Sequence, residues 1–262
     1  MIGPDIAVAT EDFLAVPNHS YQFIEAPQQG MNTRAFLVTN AGSAAMADIA
    51  VSKLGPDDTH FRFSETLPAS IDPNETTPLL AEFSPTALGA TQGGIRLTSN
   101  DADENPYDII FQGTSLAPLN YWRKLHFSST HNLGDAADGA DPDFDGVVNL
   151  MEYAFGMNPR SPARGGSGSA AGWLPSASVE TPDAPPRLRL AFLRRKASSL
   201  PGISYEVEFG SALHGGVSDE WLPATAAESV SPVDASWERV TVEDVQGDGH
   251  SKRFGRLRIS ND

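Results

Sequence analysis

Apolar and polar residues alternate in short runs along most of this chain. Between residues 5 and 117 the runs are IAV (Ile6–Val8), YQFIE (Tyr21–Glu25), RAFLVTN (Arg34–Asn40), IAVSKL (Ile49–Leu54), HFRF (His60–Phe63), LLAEF (Leu79–Phe83), GIRLTS (Gly94–Ser99) and YDIIFQG (Tyr107–Gly113). A period of two puts successive side chains on opposite faces of a strand, so Ile95 and Leu97 face one way and Arg96 and Thr98 the other. Breaks such as LGPDD, SIDPNE and SNDADENP carry turn residues. Seven or eight strands at this spacing predict an antiparallel β-sandwich over residues 1–117.

The pattern changes over residues 118–160. LNYWRKLHF (Leu119–Phe127) predicts a short helix anchored by Trp122, Leu125 and Phe127. Further on, Val147, Leu150, Met151 and Ala154 recur at helical spacing, and Gly156 stops that helix before Pro159. Residues 161–174, SPARGGSGSAAGWL, read as a small-residue linker. Alternation returns in RLRLAFLR, with Leu188, Leu190 and Phe192 against Arg187, Arg189 and Ala191. It continues in ISYEVEF, with Ile203, Tyr205, Val207 and Phe209 against Ser204, Glu206 and Glu208, and then in WERVTVED and RFGRLRI. The expected architecture is mainly β: two sandwiches, 1–117 and 175–262, joined by a helix–loop–helix connector at 118–160 and a flexible Gly/Ser-rich linker.

Charge narrows the partners. The formal net charge is −16, and residues 1–117 alone carry 15 acidic against 4 basic side chains. Such a surface repels nucleic acid and anionic membrane. The chain has no cysteine, which excludes disulfides, thiol catalysis and cysteine-ligated zinc or iron–sulfur sites. No apolar run approaches a membrane span, and MIGPDIAVAT lacks the basic start and apolar core of a signal peptide.

The strongest chemical signal is DPDFDGVVNLMEYAFG (Asp141–Gly156). It meets the calcium-loop pattern D-x-[DN]-x-[DN]-G-x5-E at Asp141, Asp143, Asp145, Gly146 and Glu152. Calcium takes six to eight oxygens, so carboxylates at alternate positions of a curled loop converge on it. Gly146 permits the sharp turn. Val147 would offer its backbone carbonyl, Asn149 would bind directly or through water, and Glu152 would close the shell from the first turn of the exiting helix. Asp138 is a further candidate ligand from upstream, and Asp135 a weaker one. The competing reading is an acidic turn that caps a helix N-terminus. It leaves four carboxylates close together with no basic residue inside the loop to relieve them. Gly139 and Ala140 argue against a rigid incoming helix, so the pattern is a loop with one helix, suited to structure rather than switching.

Two resemblances follow from these residues. FLVTNAGS (Phe36–Ser43), AEFSPTALGA (Ala81–Ala90) and SNDADENPYDIIFQGTS (Ser99–Ser115) resemble the choice-of-anchor D, or Hydin-type, immunoglobulin-like repeat. Tyr121–Pro159 resembles dockerin and thrombospondin type 3 calcium loops and the connector of modular bacterial exported proteins, and the final segment is similar to the β-domain that follows that connector. The resemblance implies an exported, non-catalytic segment at the cell surface or outside the cell, whose signal peptide would lie upstream of Met1.

The expectation is a non-catalytic, monomeric, calcium-stabilised structural or adhesive segment. Its partners would be calcium and either a polysaccharide or a cell-surface protein. Calcium would orient the two sandwiches by folding residues 134–158, and chelation would loosen the middle while leaving both sandwiches intact. The alternative is a carbohydrate-binding accessory region of a secreted polysaccharide-active enzyme, with Trp122, Trp173, Trp221 and Trp237 as candidate sugar platforms, although Trp221 and Trp237 read more readily as core. No two of His19, His60, His126, His131, His214 and His250 stand at metal spacing, and no P-loop, G-x-S-x-G or G-x-G-x-x-G is present. The cluster Arg194, Arg195 and Lys196, beside Arg187 and Arg189, reads as the solvated face and end of a strand.

Overall fold

The computed structural model describes residues 6–9, 14–15, 20–22, 25–55, 59–63, 67–102, 105–162, 174–180, 187–211, 221–225, 228–245 and 252–262. Trp173, His19, His214, His250 and most of the 161–174 linker fall outside that set. The chain divides into two compact units, Met1–Ala117 and Pro118–Asp262.

The first unit is built from β1 (Ile6–Ala9), β2 (Leu14–Ala15), β3 (Ser20–Gln22), β4 (Ala26–Pro27), β5 (Asn32–Asn40), β6 (Met46–Ala47), β7 (Ala50–Leu54), β8 (Phe61–Phe63), β9 (Ser70–Ile71), β10 (Thr76–Phe83), β11 (Gly89–Thr98) and β12 (Tyr107–Leu116). One sheet runs β2-β1-β5-β10-β8 and the other β3-β12-β11-β7, with β4 also on β12. All pairings are antiparallel except those of β3 and β4 with β12. The order β1-β5-β10-β8 opposite β12-β11-β7 is that of the ABED and GFC sheets of an immunoglobulin-like sandwich.

Alternation sets which face is buried. In β12 every second residue from Tyr107 points inward, and in β11 Ile95 and Leu97 do so while Arg96 and Thr98 are half-exposed. Phe36 of one sheet meets Phe111 of the other at 5.0 Å between ring centroids, and Phe61 stacks on Phe83 at 5.0 Å. Each such fully buried ring contributes roughly 1.5–3 kcal/mol from burial alone. The turn after β5 is held by Asn40, whose Nδ2 donates to the carbonyls of Ala44 (2.8 Å) and Ile71 (2.9 Å) and whose Oδ1 accepts from Gly42 N (3.0 Å).

The second unit contains α1 (Pro118–Phe127), α2 (Asn149–Phe155), β13 (Ser176–Glu180), β14 (Arg187–Arg195), β15 (Ile203–Gly210), β16 (Leu222–Pro223), β17 (Ser229–Pro232), β18 (Trp237–Glu243) and β19 (Phe254–Asn261). A four-stranded sheet runs β13-β14-β18-β17 and a three-stranded one β16-β15-β19. Neither helix is long and apolar enough to cross a membrane.

Sequence alone separates residues 118–160 from 175–262, but the structure gives both a single core. Leu119 and Trp122 of α1 and Tyr153, Ala154 and Phe155 of α2 join Leu190, Phe192, Val207, Phe209 and Val240 of the sheets. The reason is amphipathicity: the two short helices have apolar faces too small to bury against each other, and the sheets supply the missing surface. The acidic loop therefore belongs to the second unit and is not a free-standing connector.

Two local expectations are also corrected. Leu125 is not an anchor of α1 but 63% exposed, because the buried stripe runs through Leu119, Trp122 and Arg123. Glu208, expected on the polar face of β15, is buried and paired with Arg256 at 2.5 Å.

Candidate metal centre

The acidic loop is shaped by its own carboxylates. Asp141 Oδ1 accepts from Asp145 N at 3.2 Å and its Oδ2 from Gly146 N at 2.9 Å. Asp143 Oδ1 accepts from Asp145 N at 3.3 Å, and Asp145 Oδ1 from Val147 N at 2.8 Å. Gly146 sits at φ 92°, a left-handed conformation that a side chain would strain. Asp141, Asp143 and Asp145 each offer an oxygen, and all three lie within 4.8 Å of one another. Asp143 Oδ2 is buried without a hydrogen-bond partner among the described residues.

Glu152 completes the picture from α2. It is fully buried, and neither carboxyl oxygen has a hydrogen-bond partner among the described residues. Burial first, then the negative charges of Asp143, Asp145 and Asp141, push its pKa up to about 8. Burial is also the main cause that raises the carboxyl of Asp143, with Asp145 and Asp141 adding to it. A buried carboxyl without donors has two remedies, a proton or a cation. Glu152 stands outside the tight aspartate triple yet feels all three of its charges.

α2 starts without a side-chain cap at Val148. Its first N–H groups are taken by the incoming backbone instead: Asn149 N donates to Ala140 O at 2.9 Å and Leu150 N to Asp138 O at 3.0 Å. Asn149 is buried, and its Nδ2 donates to the carbonyls of Asp135 and Ala137, each at 2.7 Å. That amide nitrogen is committed to the approach segment. What Asn149 retains for a ligand is Oδ1, which has no partner among the described residues. The helix ends at Gly156 in the left-handed conformation, as its sequence position suggested.

Asp138 is committed to other partners. Its carboxylate receives Arg123, Asn132 Nδ2 (2.9 Å) and the side-chain amide of Asn261, and it stands outside the aspartate group. Asp135 is exposed and stands outside the aspartate group. The oxygen donors that remain are hard and anionic, which suits a hard divalent ion of variable coordination such as calcium rather than zinc or copper. Asp141, Asp143, Asp145 and Glu152 fit that ion through an orphaned buried carboxyl and a converging triple. Val147 and Asn149 lie beside them in the loop and in the first turn of α2.

Among the described residues, Trp122, Trp221, Trp237 and the arginines of the basic cluster are engaged in packing and ion pairs. Trp122 is buried, with His126 and Tyr153 against it. Arg195 lies over Trp237 at 4.4 Å and Arg256 over Trp221 at 4.3 Å, so guanidinium groups occupy ring faces a sugar would need. Burial, and next Arg160, lowers the pKa of His126. In the basic cluster, Arg194 pairs with Glu228 and Glu238, and Arg189 and Arg187 pair with Glu243. Arg195 and Tyr205 hold the backbone of α2, a role that neither the basic cluster nor strand alternation signals in the sequence.

No family model matches the chain, and no curated protein matches it. The immunoglobulin-like resemblance and the calcium-loop resemblance therefore stand on the residues quoted for them. Among solved structures, the chain is similar to the ASH/PapD-like domain 7 of human CEP192 (14% identity, 43% of this chain and 85% of that one, TM-score 0.30). It is similar to a CARDB domain of Pyrococcus furiosus in complex with di-metal ions (16%, 43% and 89%, TM-score 0.28). It is also similar to the secreted serine protease VesC of Vibrio cholerae (10%, 99% of this chain and 51% of that one, TM-score 0.30). Similarities at this level assign neither a family nor an activity.

Proposed function

We propose that this chain is a non-catalytic, calcium-stabilised segment of a modular extracellular or cell-surface protein, with a structural or adhesive role. The observation that carries the reading is Glu152: a fully buried carboxyl, both oxygens without hydrogen-bond partners among the described residues, within the electrostatic reach of three converging aspartates. A protein interior accepts such a group when an ion completes it. An extracellular setting suits the site because calcium there is abundant. A module with a Kd of roughly 0.1–1 mM gains on the order of 0.4–1.4 kcal/mol in about 1 mM calcium. The polysaccharide-accessory reading is weaker, since Trp122, Trp221 and Trp237 are spent on packing.

Isothermal titration of the intact chain with CaCl2 tests the calcium reading. The expected result is one site per chain, lost in Asp141→Ala and in Glu152→Gln. Absence of any heat would sink it. The adhesive role is tested by binding of the calcium-loaded chain to glycan and cell-surface arrays, where turnover of a polysaccharide would speak against a non-catalytic segment.

A further inference from the structure

The acidic loop is anchored to the second unit on both sides. Upstream, the Asp138 carboxylate receives Arg123 of α1 and Asn261 of β19, the last strand, while its backbone carbonyl accepts from Leu150 N of α2. Downstream, the residues that follow Glu152 on α2 are held by the strands and the turn between them. Arg195 Nε donates to Tyr153 O at 2.9 Å, the Tyr205 hydroxyl donates to Ala154 O at 2.8 Å, and the Tyr153 hydroxyl donates to Pro201 O at 2.9 Å. Each flank is thus tied to the unit by several hydrogen bonds. The stretch between them contains the orphaned Glu152 carboxyl and Asp143 Oδ2.

We propose that the loop is a clasp: a divalent cation held by Asp141, Asp143, Asp145 and Glu152 draws the Asp138 segment and the first turn of α2 together, so that cation binding and folding of the whole unit Pro118–Asp262 form one equilibrium. This rests on the calcium reading and extends it from a local stiffener to a folding ligand of the C-terminal sheets. The shared core requires the coupling. Tyr153, Ala154 and Phe155 are buried among Leu190, Phe192 and Val207, so α2 cannot come away from the loop side without opening the sheets. Local loosening of residues 118–160, with the strands left intact, would strip those strands of the helical side of their core.

All four tryptophans lie in this unit, at positions 122, 173, 221 and 237, which gives a selective probe. Trp122→Phe with Trp173→Phe leaves Trp221 and Trp237 to report on the sheets. In urea, with free Ca2+ set at ten times the Kd found by calorimetry, their unfolding equilibrium constant should fall by the linkage factor 1 + [Ca]/Kd, about 11-fold against EDTA. The unaltered chain gives a second measurement that needs no folded variant. Hydrogen exchange of β14, β15 and β18 should slow with calcium, while β5 and β10 of the first unit keep their rates. Calcium heat without any change in the Trp221/Trp237 transition or in strand exchange would overturn the clasp and leave the calcium reading standing. No calcium heat would remove both.

Discussion

The guanidinium of Arg195 lies 4.2 Å over the ring of Tyr153 while its Nε donates to that residue's own carbonyl oxygen at 2.9 Å. The same side chain faces the ring of Trp237 at 4.4 Å. One strand residue thus holds the helix that carries Glu152 by face and by backbone, one residue away from the buried carboxyl. Arg195→Met keeps the volume and removes both interactions. It should destabilise the second unit by about 2–3 kcal/mol. Urea unfolding followed by tryptophan fluorescence checks this, because every tryptophan belongs to residues 118–262. A midpoint equal to that of the unaltered chain would refute the role given to Arg195.

Glu152 makes the metal-free protein pH-sensitive in a defined direction. Its carboxyl is raised from 4.5 to about 8 in the folded chain, chiefly by burial and then by the neighbouring aspartates. Between those values the unfolded chain has released the proton and the folded chain keeps it. Stability in EDTA should therefore fall as pH rises from about 4.5 to about 8, then level off. Glu152→Gln should flatten that descent. Calcium should reverse it, since the ligand form is the carboxylate and affinity rises as the proton leaves. Thermal midpoints across pH 4–9, with and without calcium, provide the measurement.

α1 separates two leucines that look alike in sequence. Leu119 is 7% exposed and Leu125 63% exposed. Leu119→Ala should cost about 2–4 kcal/mol of the second unit's stability through the cavity it leaves, and Leu125→Glu should stay within about 0.5 kcal/mol. Equal effects in chemical denaturation would contradict the placement of α1.

Asn40 tests the first unit independently. Three hydrogen bonds converge on its buried side chain. Asn40→Ala leaves two carbonyls and one N–H without that partner and should cost about 2–4 kcal/mol. Differential scanning calorimetry should show the first unit's transition moving down while the tryptophan-reported transition and the calcium heat stay unchanged.

Much of the candidate site was legible because the donors of an acidic loop are local in sequence. Alternate aspartates, a glycine and a glutamate six residues on specify a curled loop whatever surrounds it, and Asp141, Asp143 and Asp145 do converge. Glu152 was placed by the same spacing, but its burial was not readable there. Nor was the packing of α2 against β14 and β19, which are remote in the chain. Asp138 shows the opposite case. Its sequence neighbourhood suggests a ligand, yet Arg123 and Asn261, 15 residues before it and 123 after it, hydrogen-bond its carboxylate.

By itself the amino-acid order determined the long alternating strands, whose period of two is fixed by the backbone, and the acidic loop, whose donors lie within a dozen residues; β2, β4, β6, β9, β13, β16 and β17 show no such run. Only the tertiary structure decided that residues 118–160 share a core with the C-terminal sheets. Apolar faces carry no address: the helices and strands each show a face that must be covered, and which faces cover each other is settled by the packing of distant segments.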